Sequence, residues 1–266
     1  MATPGGNRLR ALREYHSKTQ LEVELDASLG IGYLQRVESG KVNYPERDTL
    51  ERILAALNAH YTERREILEL FGYVVDAPLP NDAEIRQAIE GCRADLQTAA
   101  LPAYLLDCAH RLLNWNAMVP RLFGSKPFRG MKHVSMLRLL FDPDAGVTGL
   151  IANQEEFFPA QIRTLRYEMS LFHGEAWCSA LIDGLRLQYP LFEYYWAASM
   201  EEPHQYPTAA RPLVPLVLNL RGIGTLRFRL TSEPFAQDRR FRIIYYIPAD
   251  AATIQQCAVW SENSRV

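Results

Sequence analysis

Residues 30–38, GIGYLQRVE, form the stretch that decides how the N-terminal part of the chain folds. Leu34 and Val37 are three residues apart, so a helix places them on one face. Ser39 and Gly40 follow directly, and glycine suits the left-handed backbone that ends many helices. The stretch therefore predicts a short helix with one buried face.

Four further segments with helical periodicity surround this stretch. Residues 20–27, QLEVELDA, predict a helix that buries Val23 and Ala27, with Ser17 or Thr19 as its N-cap. The chain then breaks at Ser28. The other segments are NRLRALREYH at 7–16, RDTLERILAALN at 47–58 with Asp48 as N-cap, and ERREILELFG at 63–72 with Thr62 as N-cap. Five short helices predict a compact all-α unit.

The residue order across the two central helices is specific. It runs Gln20, Val23, Ala27, Leu29, Leu34, Val37, Glu38, Gly40. This order resembles the helix-turn-helix of Cro-repressor-like regulators of the xenobiotic-response-element type, in which Glu-x-Gly closes the recognition helix. The resemblance implies binding of double-stranded DNA, with the second helix in the major groove. Glu24 stands where that family usually has a small residue, and Ser28 where it usually has glycine, so we expect a somewhat opened or strained motif.

Positions in the motif assign the expected DNA contacts. Arg36 can pair bidentately with guanine and Gln35 with adenine, and Ile31 can contact a thymine methyl group. Gly32 is expected to face the groove beside them. Contacts to phosphate, which position a protein without reading sequence, are expected from Gln20, Lys41, Arg8, Arg10 and Arg13.

Charge argues against a lone DNA-binding unit. Residues 1–75 hold ten basic and eleven acidic side chains, and the whole chain has a net charge of −2. Counterion release supplies much of the affinity for DNA, so we expect a homodimer with two motifs. The alternative is a helical bundle that packs on a second domain, or a protein-interaction adaptor that has lost DNA binding.

The segment 76–82, DAPLPND, contains two prolines and is predicted to be a short linker. Asn81 or Asp82 can then cap a helix that carries Ile85, Ile89 and Leu96 on one face. Predicted strands follow at 103–107, 112–115, 213–220, 224–230 and 241–248, with predicted helices between the second and third strands. The pattern predicts an α+β domain with a five-stranded antiparallel sheet and helices on one face, a PAS-like layout.

A second resemblance covers this region. The elements occur in the order Pro102–Asp107 (PAYLLD), Asn114-Trp115-Asn116, Phe123-Gly124, 137–142 (LRLLFD), 189–192 (YPLF), Trp196 and 240–246 (RFRIIYY). Together they resemble the ligand-binding domain of MmyB-like transcription regulators. The resemblance implies a bacterial transcription regulator with a DNA-binding domain at 1–75, a linker at 76–82 and a PAS-like ligand-binding domain at 83–258. It also implies a small-molecule ligand, for which a fatty acid or similar lipid is our expectation.

Candidate ligand contacts come from aromatic and basic side chains. Trp115 and Tyr246 belong to an aromatic-rich set of the kind that lines apolar pockets. Arg163, Arg166 and His173 share one face of the helix predicted at 154–173. If that face lines the cavity, an arginine can hold a carboxylate. The alternative is a solvated helix face.

Other functional classes find little support. Cys108 with His110, or His173 with Cys178 and Asp183, could be drawn as nucleophile and base, but neither set lies in a catalytic motif. The four cysteines lack metal-ligand spacing, and no apolar run approaches the roughly 20 residues of a membrane span. We therefore expect a cytoplasmic protein that is not an enzyme, has no metal or cofactor and does not contact membranes.

Overall fold

The residues described by the computed structural model, 2–124, 134–201 and 214–262, belong to two units. The first is Met1–Asp76 and the second is Ala77–Val266. Each unit has its own buried apolar core.

Five helices form the first unit, as the periodicity predicts. They are α1 (Pro4–Tyr15), α2 (Gln20–Asp26), α3 (Tyr33–Glu38), α4 (Arg47–Ala56) and α5 (Tyr61–Leu70). Their apolar faces meet in a core that includes Leu9, Leu12, Val23, Ala27, Leu34, Val37, Leu50, Ile53, Ile67 and Leu68. The chain therefore buries the residues that the sequence pattern selects.

The helix starts agree with the prediction at some positions only. Thr19 is the N-cap of α2, and Glu22 completes a capping box by accepting from the Thr19 N–H at 2.7 Å. The predicted N-caps Asp48 and Thr62 are wrong, because α4 follows Glu46 and α5 follows His60. Asp48 instead lies in the first turn of α4, where a carboxylate is favoured by the helix dipole.

The second unit combines a sheet with eight α-helices in its described residues. In chain order these elements are α6 (Asp82–Gly91), α7 (Arg93–Thr98), β1 (Ala103–Asp107), β2 (Arg111–Trp115), α8 (Val119–Phe123), β3 (Val134–Ser135), α9 (Met136–Phe141), α10 (Gln154–Ser170), α11 (Ala176–Gln188), α12 (Pro190–Glu201), β4 (Leu216–Leu220), β5 (Gly224–Pro234), β6 (Phe241–Pro248) and α13 (Ala251–Glu262). The strand predicted to begin at residue 213 starts outside the described residues.

The sheet is antiparallel and has the strand order β3-β2-β1-β6-β5-β4. The fold class is the one predicted, with two differences in detail. The two-residue strand β3 adds a sixth strand, too short to show alternation in the sequence. Helices also lie against both faces, because α6 and α7 pack Ile85 and Leu96 against Leu105 and Ile243 on the face opposite to α9 and α10.

Most of the predicted linker is fixed to the second unit. The Trp177 indole N–H donates to the Ala77 carbonyl at 2.9 Å, and Arg240 donates to the Pro78 carbonyl at 3.1 Å. Arg111 donates to the Pro80 carbonyl at 3.3 Å. These three hydrogen bonds make residues 77–80 a bound segment rather than a free tether.

Glycine at position 6 lets α1 approach α3 closely. A Cβ atom at Gly6 would lie 2.6 Å from the Val37 carbonyl oxygen and 3.0 Å from the Glu38 carbonyl oxygen. Both atoms belong to the backbone, so neither can rotate away. The approach of these helices therefore depends on the absence of a side chain at this position.

We predict that Gly6→Ala destabilises the first unit by about 1–3 kcal/mol, because overpacking outweighs the gain in helix propensity. Hydrogen exchange of peptides from residues 2–76, measured against denaturant concentration, isolates this unit in the full chain. Gly30→Ala is the matched control, since a Cβ there meets no atom within 4 Å. Equal stability of the two variants would contradict the close-approach argument.

Candidate functional site

The turn between α2 and α3 is held by an acidic side chain. Glu24 is 2% exposed, and its carboxylate accepts from the Gly32 N–H at 2.9 Å and from the Leu34 N–H at 2.8 Å. Gly32 is the N-cap residue of α3 and has no side chain to satisfy these donors. Glu24 therefore caps α3 from the preceding helix.

This contact corrects the expectation that Glu24 opens the motif. Its length lets it reach the start of α3, where a small residue would leave two N–H groups without a partner. Ser28 does adopt the left-handed conformation usually taken by glycine, with φ of 53°. The strain expected at Ser28 is therefore present, whereas Glu24 supports the turn.

The end of α3 is held by a second buried carboxylate. Glu38 is 0% exposed and accepts from Arg13 through Nε at 2.7 Å and Nη2 at 3.0 Å. Gln20 donates to it at 2.7 Å and Arg10 at 3.3 Å. The glutamate that closes the motif thus binds side chains from both α1 and α2.

The outer side of α3 is open to solvent. Ile31 is 83% exposed, and Gln35, Arg36 and Lys41 are also exposed. The Arg36 guanidinium lies over the Tyr33 ring, 5.5 Å from its centroid. In the part of the chain that the structure describes, Arg36 and Lys41 form no ion pair. Gly32 contributes backbone at this surface, with φ of 81°.

The residues assigned to phosphate contacts divide into two groups. Lys41 is exposed, whereas Arg8 is paired with Glu66 at 2.8 Å and Gln20 and Arg10 bind Glu38. Arg13 is buried by its bidentate pair with Glu38, so the structure contradicts a phosphate contact there. DNA contacts of the remaining residues stay predictions.

A cavity of about 650 Å³ lies between the sheet and helices α9 and α10 in the second unit. Its volume falls in the range of about 300–1,000 Å³ that is usual for small-molecule sites. Most of its wall is apolar, with Leu106, Met136, Leu137, Leu140, Phe141, Phe157, Ile162, Leu165, Leu216, Leu230 and Ile244. Its polar residues are Tyr104, His110, Gln161, Thr164, Tyr167, Glu168, Thr231, Ser232, Arg242 and Tyr246.

Three of these polar residues form a charged cluster. Arg242 Nη2 lies 2.9 Å from Glu168 Oε2, and His110 Nε2 lies 3.1 Å from the same oxygen. Arg242 Nη2 is also 3.0 Å from His110 Nε2. The Nε atom of Arg242 is buried without a hydrogen-bond partner among the described residues. Arg242 thus lines the cavity and keeps one buried N–H without an acceptor within the described ranges.

The environment sets the charges in this cluster. Burial, followed by the charge of Arg242, lowers the pKa of His110 against the attraction of Glu168. Burial alone would raise the pKa of Glu168, but Arg242 and His110 bring it below its usual value. The cluster therefore holds one cation, one anion and a neutral imidazole near pH 7.

A strained turn directs His110 to this position. It has φ of 57° in the connection between β1 and β2. The buried carboxylate of Asp107 stabilises the turn by accepting from the Ala109 N–H at 3.0 Å and the Arg111 N–H at 2.8 Å. Such conformations are maintained only where the surroundings fix them.

Of the five predicted ligand contacts, Tyr246 lines the cavity and the other four lie elsewhere. Arg166 donates to Ser199 and lies over the Trp196 ring of α12, and the exposed His173 contacts the Ser170 carbonyl. Arg163 is half-buried on α10 but does not line the cavity. The predicted face does not line this cavity, because α10 turns Gln161, Leu165 and Glu168 toward it and ends at Ser170, before His173.

Trp115 lies at a different recess. It lines a second, more polar hollow of about 660 Å³ with Arg93, Asn114 and Asn116. Its backbone pairs with Tyr104 across β1 and β2, but the two side chains serve different cavities. The structure therefore separates Trp115 from Tyr246.

Sequence reasoning missed His110, Glu168 and Arg242 as residues that line the cavity. One signal was readable, because Arg242 alternates with Ile244 and Tyr246 and so faces the same side of an apolar strand. Arginine at such a position needs a buried partner. The partners Glu168 and His110 are 74 and 132 residues away in the chain, and local periodicity cannot select them.

The side chains considered for catalysis have other roles in the structure. Burial raises the pKa of Cys108 to about 12, so its thiol stays protonated. Cys178 is buried against Met169, and burial raises its pKa also. Across the described residues, no group of three or more His, Cys, Asp or Glu side chains could hold a metal ion. Within the same ranges, no helix has the length and apolar character that a membrane crossing requires.

Comparison with known proteins identifies both units. Residues 94–258 match the family model described as MmyB-like transcription regulator ligand binding domain, which covers more than half of the chain. Residues 6–67 match the model described as Helix-turn-helix domain. The sequence matches none of the curated proteins with which it was compared.

We predict that Glu24→Ala destabilises the first unit by about 1–3 kcal/mol, because two N–H groups at the start of α3 lose their acceptor. Hydrogen exchange of residues 30–38 in the full chain should accelerate. Glu14→Ala, at an exposed glutamate of α1, is the control and should change stability by no more than about 0.5 kcal/mol. A gain in stability from Glu24→Ala would instead support a strained motif that prefers a small residue.

Proposed function

Because the chain belongs to the family of MmyB-like transcription regulators, we propose that it is a bacterial regulator that binds a specific operator through α3 and a fatty acid or similar apolar ligand in the cavity. Its helix-turn-helix domain implies DNA binding, and its ligand-binding domain implies a small-molecule ligand. Neither matching family is defined by catalysis. The cavity, whose wall is mostly apolar and includes Arg242, is the observation that carries the ligand proposal.

The exposed side chains of α3 support sequence-specific binding. Gln35 and Arg36 point away from the core formed by Leu34 and Val37. An arginine can read guanine and a glutamine can read adenine in the major groove. We therefore assign base contacts to Gln35 and Arg36 and phosphate contact to Lys41.

A homodimer follows from the small size of this surface. Six residues make α3 about 9 Å long at about 1.5 Å per residue, so one helix reaches few base pairs. Two copies with their α3 helices about 34 Å apart would read successive major grooves. We propose this arrangement, in which a second motif compensates for the weak charge of each unit.

The cavity favours a ligand with an apolar chain and an acceptor at one end. Arg242 already binds Glu168 through Nη2, but its Nε atom lacks a partner. A ligand carboxylate that reaches the Arg242 guanidinium from the cavity would form a charge-assisted hydrogen bond with it. The aromatic and aliphatic wall would then enclose the chain, and removal of apolar surface from water stabilises the complex. Fatty acids have this chemistry.

We predict that Arg36→Ala weakens binding to a selected operator by about 1–3 kcal/mol and leaves binding to random duplex nearly unchanged. Fluorescence anisotropy at fixed salt, with a duplex selected by the protein from random sequence, measures both affinities. Sedimentation of the same complexes gives the number of chains per operator. Arg65→Ala on α5 is the charge-matched control. Equal losses on both duplexes would contradict base reading by Arg36.

We predict that the double variant Glu168→Gln/Arg242→Met binds dodecanoate at least about tenfold more weakly than wild type, because it removes the donor without leaving an unpaired charge. Glu168→Gln alone should bind it as well or better, since Glu168 competes for the guanidinium. Isothermal titration with the full chain checks both.

Arg166→Met serves as control, because Arg166 lies outside the cavity lining. Dodecanol should bind the wild type and the double variant alike. If Arg166→Met lost dodecanoate affinity and the double variant did not, the head group would bind at Arg166, as the sequence predicted, and not at Arg242.

A further inference from the structure

The cavity contains a second polar point, formed by two tyrosines. Tyr104 on β1 is 3% exposed and Tyr246 on β6 is 2% exposed, and both line the cavity. Their hydroxyl oxygens are 3.3 Å apart, and their ring centroids are 5.7 Å apart. The rings of Phe123 and Phe228 pack against Tyr246. The ring of Tyr246 is therefore packed between aromatic side chains.

One of the two hydroxyl hydrogens in this pair has no acceptor among the residues that the structure describes. Each phenol carries one hydrogen, and the mutual bond uses only one of the two. No other hydrogen bond reaches either hydroxyl from the described residues of the chain. A buried donor without an acceptor is unfavourable, so the pair is suited to receive an oxygen atom from a bound molecule.

Both hydroxyls keep their hydrogens. Burial raises the pKa of Tyr104 to about 12, and burial and then the neighbouring Tyr104 raise the pKa of Tyr246 well above its ordinary value. At physiological pH the pair is therefore neutral and presents an O–H group. It would bind a hydroxyl or carbonyl oxygen without needing a negative charge on the ligand.

The tyrosine pair and the charged cluster mark different places along the cavity. Arg242 and Tyr246 are four residues apart on β6 and face the same side, which separates their backbone positions by about 13 Å at about 3.3 Å per residue. Tyr104 lies opposite Ile244, between them. A ligand whose head group binds Arg242 would pass the tyrosines with its chain.

We propose that the ligand is an oxygenated long-chain acid, with a hydroxyl or oxo group on its chain that hydrogen-bonds to the Tyr104–Tyr246 pair. This inference rests on the proposed function, in which the cavity binds a fatty-acid-like molecule. It adds that an unsubstituted chain leaves the tyrosine donor without a partner. The oxygen on the chain, rather than chain length alone, would then distinguish the ligand from ordinary fatty acids.

Titration of the full chain with matched acids tests the proposal. The probes are dodecanoate, its ω-hydroxylated form and its mid-chain hydroxylated and oxo forms. At least one oxygenated form should bind about tenfold more tightly than dodecanoate. In Tyr104→Phe and Tyr246→Phe this preference should shrink, while dodecanoate binds as well as before or better, because the unsatisfied donor has gone. Tyr189→Phe, a buried tyrosine outside the cavity lining, is the control.

The outcomes separate this proposal from the function on which it rests. Equal affinity of the wild type for dodecanoate and all its oxygenated forms would overturn the proposal and leave the fatty-acid site intact. A preference that persists unchanged in both phenylalanine variants would also overturn it. If no acid binds at all, the proposed ligand class itself is wrong. The wild-type comparison decides the matter even if a tyrosine variant does not fold.

Discussion

The buried carboxylate of Glu38 fixes the position of the recognition helix. It has no exposure to water and accepts hydrogen bonds from Arg13 and Arg10 on α1 and from Gln20 on α2. A buried charge is tolerated only with such partners, so α1, α2 and α3 must keep their present arrangement. Apolar contacts stabilise the core but tolerate changes of shape. The hydrogen bonds to the Glu38 carboxylate are directional, so they determine where the outer face of α3 lies.

The same contact explains why net charge describes this surface poorly. Arg8, Arg10 and Arg13 are paired with Glu66 and Glu38, so these cations and anions largely neutralise each other. The side chains at the exposed end of α3 are Arg36 and Lys41. The net charge of residues 1–75 adds the paired arginines and the exposed cations together. The electrostatic field that DNA meets at α3 depends on the charges exposed near this helix, among them Arg36 and Lys41, rather than on that sum.

Periodicity and motif order predicted the two-part fold, the five helices of the first unit and most strands, because each of these depends on neighbours in sequence. The cavity was predicted less well. Tyr246 was found from an aromatic-rich segment. Of the residues chosen from one helix face, Arg166 packs against α12 and His173 lies exposed beyond the end of α10. Which face of α10 meets the sheet depends on α12, and the partners of Arg242 come from α10 and the β1–β2 turn. Such long-range choices leave no local pattern. Glu24 shows the same limit, since its role depends on the distance to the start of α3.

In the second unit, the cavity and the segment 77–80 share the same short pieces of chain. His110 lines the cavity, and Arg111, the next residue, donates to the Pro80 carbonyl. Arg242 lines the cavity, and Arg240, two residues earlier, donates to the Pro78 carbonyl. A ligand that displaces His110 or Arg242 therefore acts within one or two residues of the groups that hold this segment. Since close-packed elements transmit small shifts, regulation through this segment would need no long path across the core.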